Sequence, residues 1–223
     1  LREAYASLFF CIIYSIYFII RTMTKKFLHV GCGQNTKEKT TPVFNTNEWE
    51  EVRLDIDEAL KPDIIASLTD MSSVEDASYD AVYSSHNIEH VYPYEVNIAL
   101  KEMYRVLNDT GFVVITCPDL QEVSKFIADD KFTEPLYESP AGPISPVDIV
   151  YGHRRALSEG KHYMAHKTGF TAKVLAGELS RAGFASLSVA KNEKAYSLWA
   201  VATKNSVSSE EVNTMVKQHW NGT

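Results

Sequence analysis

The sequence predicts an α/β protein built on a doubly wound sheet that closes in an antiparallel hairpin. Three observations predict it. Short apolar runs alternate with segments of helical spacing, the first run ends directly in the glycines Gly31 and Gly33, and the second ends in the acids Asp55 and Asp57.

Each element has its own signal. FLHV (27–30) is an apolar run stopped by glycine, EVRLDID (51–57) a second strand, and DIIASL (63–68) and YDAVYSS (79–85) a third and a fourth. Over residues 93–108, Val96, Ala99, Leu100, Met103, Val106 and Leu107 recur on one helical face, and Pro93 suits a first turn. Gly111 restarts the chain into FVVITC (112–117), a β-branched run typical of a strand covered on both faces. Residues 130–170 hold four prolines and no sustained period, which predicts a functional insertion or a lid. Thr171 then caps a helix carrying Val174, Leu175 and Leu179 that stops at Gly183. Two last strands, 184–190 and 195–203, flank KNEK as a hairpin and bring the sheet to seven strands in a Rossmann-like arrangement. The tail from 206 to 223 is polar and predicts a frayed or weakly helical end.

The first 22 residues stand apart. AYASLFFCIIYSIYFII (4–20) is apolar and is followed by Arg21, Lys25 and Lys26, so it reads either as a short membrane anchor or as a leader ahead of a start at Met23. Its 17 residues and three tyrosines favour the leader, with residues 23–205 as the folded domain. Any membrane contact would run through this segment alone.

A chain of 223 residues supports one domain with a sizeable core. Its net charge of -7 argues against a surface that displaces counterions from nucleic acid, and favours a small-molecule partner. Cys11, Cys32 and Cys117 lie far apart with no paired spacing, which suits a reducing cytoplasm.

Gly31 and Gly33 let the backbone turn sharply and let a ligand approach without meeting a Cβ. A carboxylate at the end of the second strand can accept both hydroxyls of a ribose. A nicotinamide site would need a third glycine where Thr36 stands and an apolar-striped helix behind it, whereas KEKTTPVFN follows. The pattern fits a nucleoside without phosphates, of which S-adenosylmethionine is the common cofactor.

FLHVGCG, VRLDID, YDAVYSSHNIEHV, ALKEMYRVLNDTGFVVITCPDL and GFTAKVLAGELSRAGF resemble the class I S-adenosylmethionine-dependent methyltransferases of the type 11 kind. SPAGPISP and YGHRRA with HYMAHKTGF resemble a bacterial subgroup of them, and the resemblance covers residues 26–203. It implies Gly31, Cys32 and Gly33 at the cofactor's amino-acid end, Asp55 at its ribose with Ile56 and Asp57 beside it, and Ser85 and His86 on the pocket floor. Adenine recognition would fall to Leu68 and Asp70, because Ser67 stands where many relatives carry an acid. A cofactor-binding protein without catalysis is the alternative on the same fold.

His86, Glu89 and His90 spell H-x-x-E-H, a zinc-peptidase spacing that needs both histidines on one formed helix. Here the motif falls in a strand-to-helix loop and the sequence commits no third ligand. No metal is therefore expected, and a zinc hydrolase remains an outside alternative. On the methyltransferase reading His86 is the candidate base beside the transferring methyl, while Glu89 and His90 shape the loop. YGHRRALSEGKHYMAHKTGF (151–170) gathers His153, Arg154, Arg155, Lys161, His162, His166 and Lys167 around one acid, Glu159. That cluster suggests a small anionic acceptor, with arginine as the clamp and His153 and His166 as catalytic candidates.

Overall fold

A computed structural model describes residues 24–220; the apolar run at 4–20, Cys11 and Met23 lie outside the described residues. Among the described residues no helix is long and apolar enough to cross a membrane.

The sheet is made of β1 (Lys25–Val30), β2 (Trp49–Asp55), β3 (Ile64–Ile65), β4 (Tyr79–Ser85), β5 (Leu107–Pro118), β8 (Ser186–Asn192) and β9 (Ser197–Thr203), in the order β3-β2-β1-β4-β5-β9-β8. The first five are mutually parallel, and β9 pairs antiparallel with both β5 and β8. Strand order therefore reverses between β1 and β4, which opens a crevice at their carboxyl ends. A separate two-stranded hairpin, β6 (Tyr137–Ser139) and β7 (Gly142–Ile144), lies within the predicted insertion.

Both faces of the sheet are covered, as the continuous apolar strands require. Successive side chains point to opposite sides, so Leu28, Val82 and Val113 join a core with α1 (Val96–Val106) and α5 (Ala172–Ala182), while Phe27, Tyr83 and Val114 join a second core. Thr171 caps α5 by accepting from the Val174 amide, and Gly183 ends it at a φ of 111°. The second core is aromatic: Phe44 is stacked 4.4 Å from Phe27 and meets Trp49 edge-on at 5.0 Å.

Several elements differ from the sequence expectation. The third strand shortens to two residues: the Ala66 amide makes a last ladder bond to the Asp55 carbonyl, and the chain then turns, the Asp70 amide donating to the Ser67 carbonyl. Pro93 lies in the turn before α1, whose first residue is Val96. A helix not marked by periodicity, α2 (Leu120–Ala128), is capped by Asp119 and buries only Val123. The tail is a formed helix, α6 (Ser209–His219), capped by Ser208, with Val212, Val216 and His219 turned into the aromatic core. Two short helices, α3 (Pro146–Tyr151) and α4 (Arg154–Ser158), complete the insertion.

His219 contacts Thr41 Oγ1 at 2.9 Å through Nδ1 and sits among Phe44 and Phe112, and this burial pushes its pKa from 6.5 down to about 4. A folded-state value below the unfolded one means that its contribution is whole above pH 6.5 and is lost as pH falls towards 4. Urea midpoints measured across that window should fall more steeply for the wild type than for His219→Phe; parallel curves would show that His219 does not couple folding to pH.

Candidate active site

At the carboxyl ends of β1, β2 and β4 lies a cavity of about 490 Å³, within the range of small-molecule sites. Its glycine wall is pinned from several directions. The Gly31 and Cys32 amides donate to the Leu54 carbonyl, at 2.8 and 3.2 Å, and the Arg53 guanidinium donates to the carbonyls of Gly33 (2.7 Å) and Asn35 (3.1 Å). Gly31 has a φ of 69°, and a Cβ there would lie 2.3 Å from Asn87 Cγ, so glycine is required twice over. Asn87 itself spans β1 and β4, donating to the Val30 carbonyl and Ser84 Oγ, both at 3.3 Å. Gly33, with a φ of 56°, differs: a Cβ would meet nothing within 4 Å.

Asp55 is buried, and its two oxygens accept separate amides, Gly33 at 2.8 Å and Asp57 at 3.0 Å. A carboxylate oxygen has room for a second donor, so Asp55 fixes the loop and still has capacity for ribose hydroxyls. Asp57 accepts from the Ala59 amide at 3.0 Å and from the Tyr163 hydroxyl at 2.8 Å. The second bond brings the insertion across the cavity mouth. Ile56, Ser67, Leu68 and Thr69 form the adjoining wall, where Ser67 and Thr69 hydroxyls bond at 2.8 Å. Open space at Gly33, residual acceptor capacity on Asp55 and an apolar flank at Leu68 fit an adenosyl group carrying an amino-acid tail.

Of the cofactor-binding and catalytic candidates named from sequence, Gly31, Gly33, Asp55, Ile56, Asp57, Leu68 and His86 line this cavity. The others lie apart for identifiable reasons. The Cys32 side chain turns into the core, where burial pushes its thiol up to about 11. Ser85 is engaged with Thr116 Oγ1 at 2.7 Å, and Asp70 accepts the Ser72 amide at 3.1 Å on an exposed turn. His153 precedes α4 and stands outside the lining, as does His166. Nor does either arginine of the insertion line the cavity. Arg154 pairs in fork fashion with buried Asp148, at 2.8 and 3.0 Å, and Arg155 with Glu159 at 3.1 Å. From the insertion the cavity receives Lys161, Tyr163, Met164 and Lys167 instead.

His86 adopts a left-handed φ of 48°, at the edge of what a non-glycine residue tolerates, with 53% of its side chain exposed. Its Nδ1 lies 3.4 Å from Glu89 Oε1. Desolvation works against charge on the ring, but the Glu89 contact and its negative charge outweigh it and raise the pKa above the ordinary value. Glu89 is 1% exposed; burial would raise its pKa, yet His86 and then His90 and His166 hold it below the usual carboxylate range. A third histidine therefore joins the motif from 76 residues downstream of His90, which spacing could not reveal.

Residues 28–115 match a family described as a methyltransferase domain. No curated protein matches the chain in sequence. Among solved structures, an S-adenosylmethionine-dependent methyltransferase from Methanosarcina mazei shares 16% identity over 82% of this chain and 93% of its own, with a TM-score of 0.52. One from Archaeoglobus fulgidus shares 15% over 85% and 90%, with a TM-score of 0.53. A Listeria monocytogenes protein assigned to the same class shares 18% over 85% and 96%, with a TM-score of 0.55. At such identities the structural likeness carries the fold alone, and the methyltransferase match stands for residues 28–115. With the glycine loop and Asp55 disposed as a nucleoside pocket requires, the chain carries a match to a methyltransferase domain over residues 28–115, set in the fold of these S-adenosylmethionine-dependent methyltransferases.

Proposed function

We propose that the enzyme methylates a small anionic acceptor held between the cofactor and residues 161–167, with the 130–170 insertion as its roof. One observation carries this reading: Lys161 and Lys167 line the same cavity as Gly31, Gly33 and Asp55. Lys167 rests 4.9 Å above the Tyr92 ring, and Lys161 is 3.8 Å from exposed Glu159, a pair that solvent screens. Both ammonium groups can therefore turn towards an anion.

When bound, S-adenosylmethionine supplies a methyl group on a positively charged sulfur that departs as a neutral thioether. The chain's own work is placement. Gly31 and Gly33 admit the amino-acid tail, Asp55 and Asp57 take the ribose, and Leu68 flanks the base. The bond between Tyr163 and Asp57 narrows the mouth and limits water. Aligning acceptor and methyl at about 3 Å supplies most of the rate for such an activated donor. His86, at the cavity wall beyond β4, is positioned to receive a proton from an acceptor that must lose one. The unpaired thiols of Cys32 and Cys117 suit a cytoplasmic enzyme.

Calorimetric titration with S-adenosylhomocysteine should show one site in the wild type and none in folded Asp55→Ala; retained affinity in the variant would remove Asp55 from the cofactor site. Once an acceptor is in hand, replacing Lys161 and Lys167 with alanine should raise its KM about tenfold with kcat little changed, the signature of lost uniform binding. An unchanged KM would place the acceptor elsewhere.

A further inference from the structure

We propose that Glu89, His90 and His166 form a binding site for a divalent transition-metal ion at the wall of the methyl-transfer cavity. Their ligand atoms all lie within 4.8 Å of one another. Two ligand atoms on one such ion sit about 3 Å apart, so side-chain adjustments of under about 2 Å would close the set.

The strongest sign is Glu89. Its carboxylate is 1% exposed, and neither oxygen has a hydrogen-bond partner. A buried carboxylate in that condition is strongly unfavourable unless something positive meets it. His86 approaches at 3.4 Å without making a hydrogen bond, so it answers the charge only in part.

The two imidazoles are arranged as metal ligands need to be. His166 Nδ1 is 2.6 Å from the Ile149 carbonyl oxygen, and His90 Nδ1 is 3.2 Å from that of Ala165. A carbonyl can only accept, so in each neutral ring Nδ1 carries the proton and Nε2 the lone pair. Tethering the remote ring nitrogen to a backbone carbonyl is how proteins orient histidine ligands. The rings face each other edge-on, 4.9 Å between centroids. The segments that carry them are bound together beside the site, where the Lys167 and Thr168 amides donate to the Glu89 carbonyl at 2.8 and 3.2 Å, while the His166 amide is held within the insertion by the Tyr151 carbonyl at 3.1 Å.

Two imidazoles and one carboxylate suit zinc, cobalt, manganese or iron in the divalent state better than calcium or magnesium. Three protein ligands leave a position open, the mark of a site that handles substrate. His90 belongs to both the ligand set and the cavity lining, so that position borders the space where Lys161 and Lys167 are placed to hold the acceptor. The role of the ion rests on the methyl-transfer reading: it would hold an oxygen of a hydroxyl- or carboxylate-bearing acceptor. For a hydroxyl, the proton passes to His86 or solvent and an oxygen lone pair forms the bond to the methyl carbon. The carbon–sulfur bonding pair then stays on sulfur.

The test uses the full chain without an affinity tag, stripped with EDTA and titrated with Zn²⁺ by calorimetry and with Co²⁺ by visible absorption. S-adenosylhomocysteine titration of each protein serves as the check on folding and on the cofactor pocket. The wild type should take up one Zn²⁺ and give Co²⁺ bands of mixed nitrogen and oxygen coordination. Glu89→Gln and His166→Ala should each weaken Zn²⁺ about 100-fold or more while binding S-adenosylhomocysteine as the wild type does. A wild type that binds S-adenosylhomocysteine but neither metal would overturn the site, as would variants that keep full metal affinity. Metal uptake without S-adenosylhomocysteine binding would keep the site and overturn its role in methyl transfer.

Discussion

Glu89 is the residue on which the two halves of the molecule meet. Its carbonyl accepts the amides of Lys167 and Thr168, which fastens the end of the insertion to the loop that leaves β4. Its carboxylate is buried against histidines from both segments. Neither half could shift without exposing an amide or stranding a charge, and each costs kilocalories per mole in a protein interior. The placement of Lys161, Tyr163 and Lys167 over the cavity follows from that anchorage.

The cofactor half obeys a different constraint. Strand order reverses between β1 and β4, and Asn87 bridges the gap so closely that position 31 has no room for a side chain. Asp55 then sets the curvature of the glycine loop by accepting from Gly33 and Asp57 together. The same carboxylate that shapes the loop thereby also lines the cavity, where the proposed ribose contact would fall. Arg53, reaching the carbonyls of Gly33 and Asn35 from β2, supports the loop from outside the cavity lining.

The sheet is legible in the sequence because its strands are buried on both faces and stop at strong breakers. YDAVYSS is a strand over the residues its pattern marks, and FVVITC lies wholly inside β5. The glycines and acids that line the cavity are legible because their spacing follows from strand geometry. Elements with few apolar residues are less so: α2 buries one side chain, and α6 hides its packing face in a polar segment until Phe44 and Phe112 are seen beneath it. The roles inside the insertion are long-range and cannot be counted from spacing. Arg154 looks like a clamp for an anion until Asp148 is found folded against it, and His166 joins Glu89 and His90 only in three dimensions.

The most direct test of the account is a crystal structure of the complex with S-adenosylhomocysteine. The account predicts the ribose hydroxyls within hydrogen-bonding distance of Asp55 or Asp57, the amino-acid tail passing Gly31 and Gly33, and the sulfur directed towards His86 and the insertion. A ligand bound outside the β1–β4 crevice, or one whose sulfur faces away from the insertion, would contradict it.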